Sequence, residues 1–428
     1  MAVLRNILLA ALLLTPTRAR AYSVQTHQQL IDLAWKGSIR PLLLRRFPGT
    51  TEAELRVAHA YAYGGSAIQD LGYYPFGNKF FSDLTHYVRS ADFVRSLLRH
   101  AHNPNELAFA IGALSHYVGD SLGHSEAVNP SVSFEFPKLR KEYGPSVTYD
   151  EAPHAHVRTE FAFDINEISK HRFAPSAYLR HVGLEVPEDL LARAFFETYG
   201  LDLHRVLNKH RPIIRGYRFA VRSFLPRIAY AEVLLHKDDF PPDTPSQVFD
   251  TFRQNLAQAD FENGWNQYRK KAGIKTHLVA LLIEIVPKVG VLSDLAIRGP
   301  NVQTEQQYVI SVNHSISWLR QLLERVNTNA MALPNRDLDT GDKVKPGGYR
   351  RADETYAKLL DKITRQGATA VPAGLRQDVL AFYADPNAPI STKKNPGKWK
   401  RVQTELAELQ GITGKPEPPP LPPGNSLR

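Results

Sequence analysis

His116, Asp120 and His124 recur at four-residue steps inside Ser115-His116-Tyr117-Val118-Gly119-Asp120-Ser121-Leu122-Gly123-His124. Just before and among them, Leu107, Ile111, Leu114 and Val118 form an apolar stripe at three- and four-residue steps. Only a helix satisfies both patterns, because a four-residue step turns about 40° and keeps a side chain on its face. The spacing predicts one helix face packed into a core and the opposite face lining a cleft. His156 and Glu160 repeat the four-residue step on another segment. Imidazoles and carboxylates sharing a face are metal-ligand chemistry. With no cysteine in the chain, thiolate ligation is excluded, and zinc on nitrogen and oxygen donors is the expected occupant.

The rest of the chain reads as all-α. Asn103-Pro104-Asn105-Glu106 is a helix start, with an Asn cap, Pro at the first position and Glu at the third. An alanine-rich helix is expected over 52–69, interrupted by Gly64-Gly65. Further helices are expected over 187–199, 212–236, 246–270, 275–286, 303–326, 351–364, 371–384 and 398–409. Pro241, Pro242 and Pro245 mark an internal boundary, and the polar stretch 333–350 a second break. The tail from Pro416 to Pro423 is proline-dense and expected to be extended or disordered. The organisation is thus a signal segment over 1–21, a catalytic domain over 22–240, a helical C-terminal region over 241–410 and a tail over 411–428.

Arg5, the apolar run Ile7 to Leu14, and Ala19-Arg20-Ala21 have the layout of a secretory signal with its cleavage site. Cleavage would leave Tyr22 as the first residue. It would also bring the formal charge from +10 to +7, since residues 1–21 hold three arginines and no acid. No membrane-spanning segment is expected after cleavage, because the most apolar mature segment, His277 to Val286, falls well short of the ~20 residues needed to span. A large secreted chain without cysteine suits a bacterial periplasm or exterior. The basic charge favours anionic surfaces and phosphate-bearing substrates.

The order Tyr22, His27, Asp70, His86, His116, Asp120, His124, His156, Glu160 resembles the signature of the zinc-dependent phospholipases C and the fungal single-strand nucleases. In that family it runs as an N-terminal aromatic, an early histidine, an aspartate, a histidine, H-x3-D with a further histidine, and H-x3-[ED]. The resemblance implies an all-helical domain with three zinc ions per chain and a phosphodiester substrate. It implies that the amine and carbonyl of Tyr22, with His27, ligate one zinc, and that Asp120 bridges this ion to another. Asp70, His86 and His116 would serve one site, and His124, His156 and Glu160 the remaining, more exchangeable ion. Asp70 would also be the general base, so Asp70 and Asp120 are the catalytic candidates.

Three residues separate Asp120 from His124 where phospholipases C and nucleases usually have five. The shorter form is similar to that of glycosylphosphatidylinositol-specific phospholipase D and keeps His124 on the helix face. Leu71, Asp83 and Gln25 stand where the choline-holding aromatic and acidic residues of the bacillary enzyme are expected, so a phosphatidylcholine preference does not follow. Asp83 and Asp164 are placed to support ligands from behind. Tyr73, Tyr74, Phe76, Phe80 and Phe81 crowd the segment between two ligands and are expected mainly to pack it. The expected activity is a phospholipase C-like hydrolysis at a peripheral membrane surface. A nuclease or nucleotidase of the same fold would instead act on nucleic acid or nucleotides, and a catalytically silent metal-bearing surface protein is a third reading.

Overall fold

The computed structural model describes residues 24–74, 77–208, 210–236, 240–243, 245–269, 299–326, 333–366 and 370–415. The signal segment, Tyr22, Phe76, the expected 275–286 helix and the tail from Pro416 lie outside them. The described chain is all-α. The exception is one pair of parallel three-residue strands, Ala370–Pro372 and Thr413–Lys415. The helices that build the site are α1 (Val24–Ala34), α2 (Glu52–Gly65), α3 (Lys79–Tyr87), α4 (Pro104–Leu122), α5 (Pro153–Ser169), α6 (Val302–Arg325) and α7 (Arg350–Arg365).

Helix α4 is the axis of the fold. Asn103 caps it by accepting the Glu106 N–H at 2.9 Å, with Pro104 at the first position. Every residue from Leu107 to Ser121 is buried. The helix therefore has no open face: the apolar stripe faces core, and the opposite side is covered by the elements that bring His27, Asp70 and His86. Two glycines set its distance from α2. A Cβ on Gly65 would lie 2.0 Å from the Phe109 carbonyl oxygen, and one on Gly112 would lie 2.2 Å from that of Ala62. The expected 52–69 helix therefore stops at Gly65, where the backbones cross. The chain resumes as a 3-10 turn, Gln69–Tyr73, that delivers Asp70. Tyr73, Tyr74, Phe80 and Phe81 are all buried and pack this region.

Other boundaries moved for local reasons. The 371–384 helix begins only at Ala373, because residues 370–372 are taken by the strand pair and proline biases its predecessor towards extended backbone. The 246–270 helix ends at Asn263, where Gly264 adopts the left-handed conformation (φ +66°). The 212–236 pattern is broken by a π turn, Ala220–Phe224.

The C-terminal region packs on the same core as the site helices, and one apolar cluster runs from Val24 to Leu409. The Tyr308 hydroxyl of α6 lies 3.0 Å from Thr26 Oγ1 and donates to Gln29 Oε1 at 3.3 Å, both on α1. No helix among the described residues is long and apolar enough to cross a membrane.

A buried ionic cluster ties α5 to α6. Arg172 Nη1 donates to Glu167 Oε1 at 2.9 Å and to Glu305 Oε1 at 3.0 Å, and Asp243 and Lys170 complete the group. Burial outweighs the Arg172 charge, and with the Glu305 carboxylate it pushes the Glu167 carboxyl up to about 7. An acid whose pKa is raised on folding favours the folded state below its unfolded value, and that contribution is lost as the pH climbs through the folded one. Glu167→Gln carries no such charge. It is expected to match wild type near about pH 4.5 and to be more stable by about 3 kcal/mol near about pH 8. Denaturant melts at the two pH values check this, and a pH-independent difference would contradict it.

Candidate metal centre

His27 comes from α1, Asp70 from the 3-10 turn, His86 from the last turn of α3, His116 and Asp120 from α4, and His156 and Glu160 from α5. His124 departs from the expected placement. α4 ends at Leu122, and residues Gly123–Val128 form a π turn that carries His124. The wider turn swings its ring away from His116 and towards α5; π-helical segments of this kind cluster at functional sites. All eight side chains are buried, seven of them at 0–2 % exposure and Asp70 at 3 %.

They form three groups whose donor atoms lie within 4.8 Å of one another: His27, His116 and Asp120; Asp70, His86 and His116; His124, His156 and Glu160. Asp120 divides its two oxygens. Oδ1 lies 3.2 Å from His27 Nε2, while Oδ2 lies 3.0 Å from His116 Nε2 and 3.4 Å from His86 Nε2. Asp70 Oδ1 is 3.4 Å from the same His86 nitrogen. In the third group Glu160 Oε1 lies 2.7 Å from His156 Nδ1 and 3.4 Å from His124 Nε2. The His27 and His116 rings stack with centroids 4.2 Å apart, and the bare Cα of Gly119 makes room, since a Cβ there would lie 3.3 Å from His27 Nδ1.

The outer ring nitrogens explain why the inner ones face carboxylates. His86 Nδ1 donates to the Ser82 carbonyl at 2.7 Å, His116 Nδ1 to Ser66 at 3.0 Å, and His124 Nδ1 to Leu338 at 2.7 Å. A carbonyl only accepts, so each N–H points outward and each Nε2 turns a lone pair inward. Carboxylate oxygens of Asp70, Asp120 and Glu160, His124 Nε2 and His156 Nδ1 are buried there without a hydrogen-bond partner. Lone pairs facing lone pairs in a buried space call for cations. The electrostatics agree. Burial works against charge on His86, but Asp120 and Asp70 overcome it and push its pKa up to about 10. Burial likewise opposes charge on His124, yet Glu160, Asp120 and Asp339 raise it to about 9. Asp120 is held well below the usual carboxylate range by His116, His27 and His86 against the penalty of burial. The donor set, nitrogen and oxygen at tetrahedral-type spacing with carbonyl-anchored imidazoles, fits zinc.

Of the residues expected behind the ligands, Asp83 takes the Lys79 ammonium with both oxygens at 2.6 Å, one turn back on its own helix, and the Ser82 carbonyl accepts the His86 Nδ1–H. Asp164 supports the site differently: its oxygens accept the Gln25 N–H at 3.1 Å and the Thr26 hydroxyl at 2.9 Å, fastening the first turn of α1 to the helix that bears Glu160. Sequence reasoning missed Asn129, whose Oδ1 lies 2.8 Å from His156 Nε2, and the Leu338 carbonyl. A backbone oxygen leaves no trace in a sequence, and Asn129 sits at a helix start where asparagine needs no further explanation.

Residues 26–208 match the family model described as zinc dependent phospholipase C. The resemblance carried by the motifs therefore holds over this stretch, which contains all eight described candidate ligands. No curated protein and no solved structure matches the chain.

Proposed function

With a zinc-dependent phospholipase C domain over residues 26–208 as the premise, we propose that the chain is a secreted phosphodiesterase that hydrolyses the head-group phosphodiester of a phospholipid. The observation that carries this reading is the set of three buried acid–histidine groups, two of them joined through His116 and Asp120. His27, His116 and Asp120 would hold one zinc, with the Tyr22 amine as a further ligand. Asp70, His86, His116 and Asp120 would hold the second, and His124, His156 and Glu160 the third. When bound, the ions supply Lewis acidity and an acidified water.

The chain's own residues do the rest. The carbonyls of Ser66, Ser82 and Leu338 hold imidazole N–H groups outward, so the rings keep their binding tautomers between turnovers. Asp70, buried at 3 % exposure beside His86, would accept the proton from the attacking water. Asp120 holds two groups at one separation through its two oxygens. Burial of the whole constellation strengthens each of these interactions.

Metal analysis of the purified mature protein, followed by a hydrolysis screen over phospholipid vesicles, single-stranded nucleic acid and mononucleotides, tests the reading. Zinc with release of phosphorylated head groups supports it. Zinc with turnover confined to nucleic acid or nucleotides moves the assignment to a nuclease, and zinc without any turnover to a silent metal-bearing protein.

The Tyr22 assignment makes its own prediction. A residue left in front of Tyr22 turns a basic amine into an amide nitrogen that does not ligate. A chain beginning Met-Tyr22 is expected to hold about one zinc fewer than a chain beginning at Tyr22, and to lose most activity while its helices stay folded on the other ligands. Equal zinc content and equal turnover in the two preparations would remove Tyr22 from the site.

A further inference from the structure

We infer that the loop Asp337–Gly341, supplied from outside the family-matched stretch, sets which ring nitrogen each histidine of the third group turns to its metal, with Asn129 as the positioning residue for His156. The inference rests on the reading of His124, His156 and Glu160 as a metal group.

The two histidines of this group use opposite nitrogens. His124 turns Nε2 towards Glu160, whereas His156 turns Nδ1. The choice for His156 depends on what Asn129 presents to its Nε2, since an amide can offer either an oxygen or an NH2. The loop decides the matter. Asn129 Nδ2 lies 2.7 Å from the Asp339 carbonyl oxygen, which only accepts, so that end of the amide is the NH2 and the end facing His156 is the oxygen. His156 Nε2 therefore carries the hydrogen and Nδ1 is left with its lone pair. One residue earlier, the Leu338 carbonyl accepts the His124 Nδ1–H, which leaves Nε2 as the ligand atom. The Leu338 N–H meanwhile donates to the His86 carbonyl at 3.1 Å.

The loop is built to hold this position. Asp339 is fully buried, and its Oδ2 accepts the hydroxyls of Tyr87 at 2.8 Å and Tyr349 at 2.6 Å. The Asp339 N–H is taken by Asp337 Oδ1 at 2.9 Å, and the Gly341 N–H by the Asp337 carbonyl at 2.8 Å. Gly341 has φ +74° and lies so close to α4 that a Cβ would sit 2.3 Å from the Ser121 carbonyl oxygen. The stretch 333–350 is thus a wall of the metal centre, and residues beyond 208 take part in the chemistry of residues within it.

The test uses full-length protein and zinc, with affinity measured by chelator competition and the His156 tautomer by imidazole nitrogen NMR. Asn129→Leu, close in size, removes the acceptor. It is expected to weaken one zinc about 10–100-fold and to abolish the His156 Nε2–H signature, leaving the other ions bound and the helices folded. Asn129→Asp keeps an acceptor for Nε2–H and is expected to retain more of the affinity and the tautomer. Should Asn129→Leu not fold, Tyr349→Phe loosens the loop from its far side and is expected to weaken the same ion several-fold. Wild-type affinity and an unchanged tautomer in Asn129→Leu, or in Tyr349→Phe where that variant stands in, would overturn the inference while the metal centre stands. Wild-type protein that binds no zinc would overturn the metal reading, and the inference with it.

Discussion

Asp120→Asn is expected to abolish activity, by about 10³-fold or more, and to cost more metal than His124→Ala. The carboxylate directs Oδ1 at His27 and Oδ2 at His116 and His86, so one residue closes two of the three groups. The amide keeps the shape but loses the charge. It also turns an NH2 towards a cation, which is repulsive where the carboxylate was attractive, or donates that NH2 to an imidazole Nε2 and so occupies the lone pair a metal needs. His124→Ala, by contrast, opens only the group it shares with His156 and Glu160. The expected order is therefore wild type, then His124→Ala with about one zinc lost, then Asp120→Asn with the joined pair of sites lost. Zinc content and turnover measured on the same preparations check it. Asp120→Asn with full metal content and wild-type turnover would refute the shared-carboxylate assignment.

The parts of this site that could be read in the sequence are those encoded by local geometry. His116 and Asp120 sit four apart on α4, and His156 and Glu160 four apart on α5. In both cases helix periodicity alone places the two side chains side by side. Asp70 and His86 have no such partner. One lies on a 3-10 turn and the other at a helix end, so only an ordered resemblance over the whole stretch could nominate them. The π turn at Gly123–Val128 was invisible, because a change from α to π hydrogen bonding at a helix end leaves the four-residue spacing of the letters intact. The segment 333–350 misled for a different reason. Its Gly, Lys and Asp content is that of an exposed linker, yet Asp337 and Asp339 are buried at 2 % and 0 % exposure. Burial of those acids is stabilised by two tyrosine hydroxyls and the loop's own N–H groups, partners that lie up to 252 residues away. The apolar stripe on α4 was legible as core. The burial of its other face was not, because that depends on which elements return to cover it.

A methyl group at Gly65 or Gly112 should be among the most damaging small changes outside the ligands. Helix propensity argues the other way, since alanine is favoured over glycine by about 1 kcal/mol in a helix interior. The packing decides the sign. A Cβ at 2.0 Å from the Phe109 carbonyl oxygen, or at 2.2 Å from that of Ala62, meets backbone on a fully buried helix. Contacts under 3.0 Å are not tolerated, so α2 and α4 must part by roughly 1 Å along their crossing, and overpacking of this kind costs about 1–3 kcal/mol or more. Gly65→Ala and Gly112→Ala are therefore each expected to lower the denaturant midpoint. Gly37→Ala, with nothing within 4 Å of its Cβ position, is expected to stay within about 0.5 kcal/mol of wild type. The consequence reaches the chemistry. Ser66, next to Gly65, supplies the carbonyl that holds the His116 Nδ1–H at 3.0 Å, and His116 belongs to two of the three groups. Displacing that carbonyl should weaken zinc in Gly65→Ala even under conditions where the helices remain folded. Gly112→Ala opens the same crossing from the opposite helix, one turn before His116, and should do the same. A lower midpoint with unchanged zinc affinity in both variants would show that the crossing supports the fold but not the metal centre.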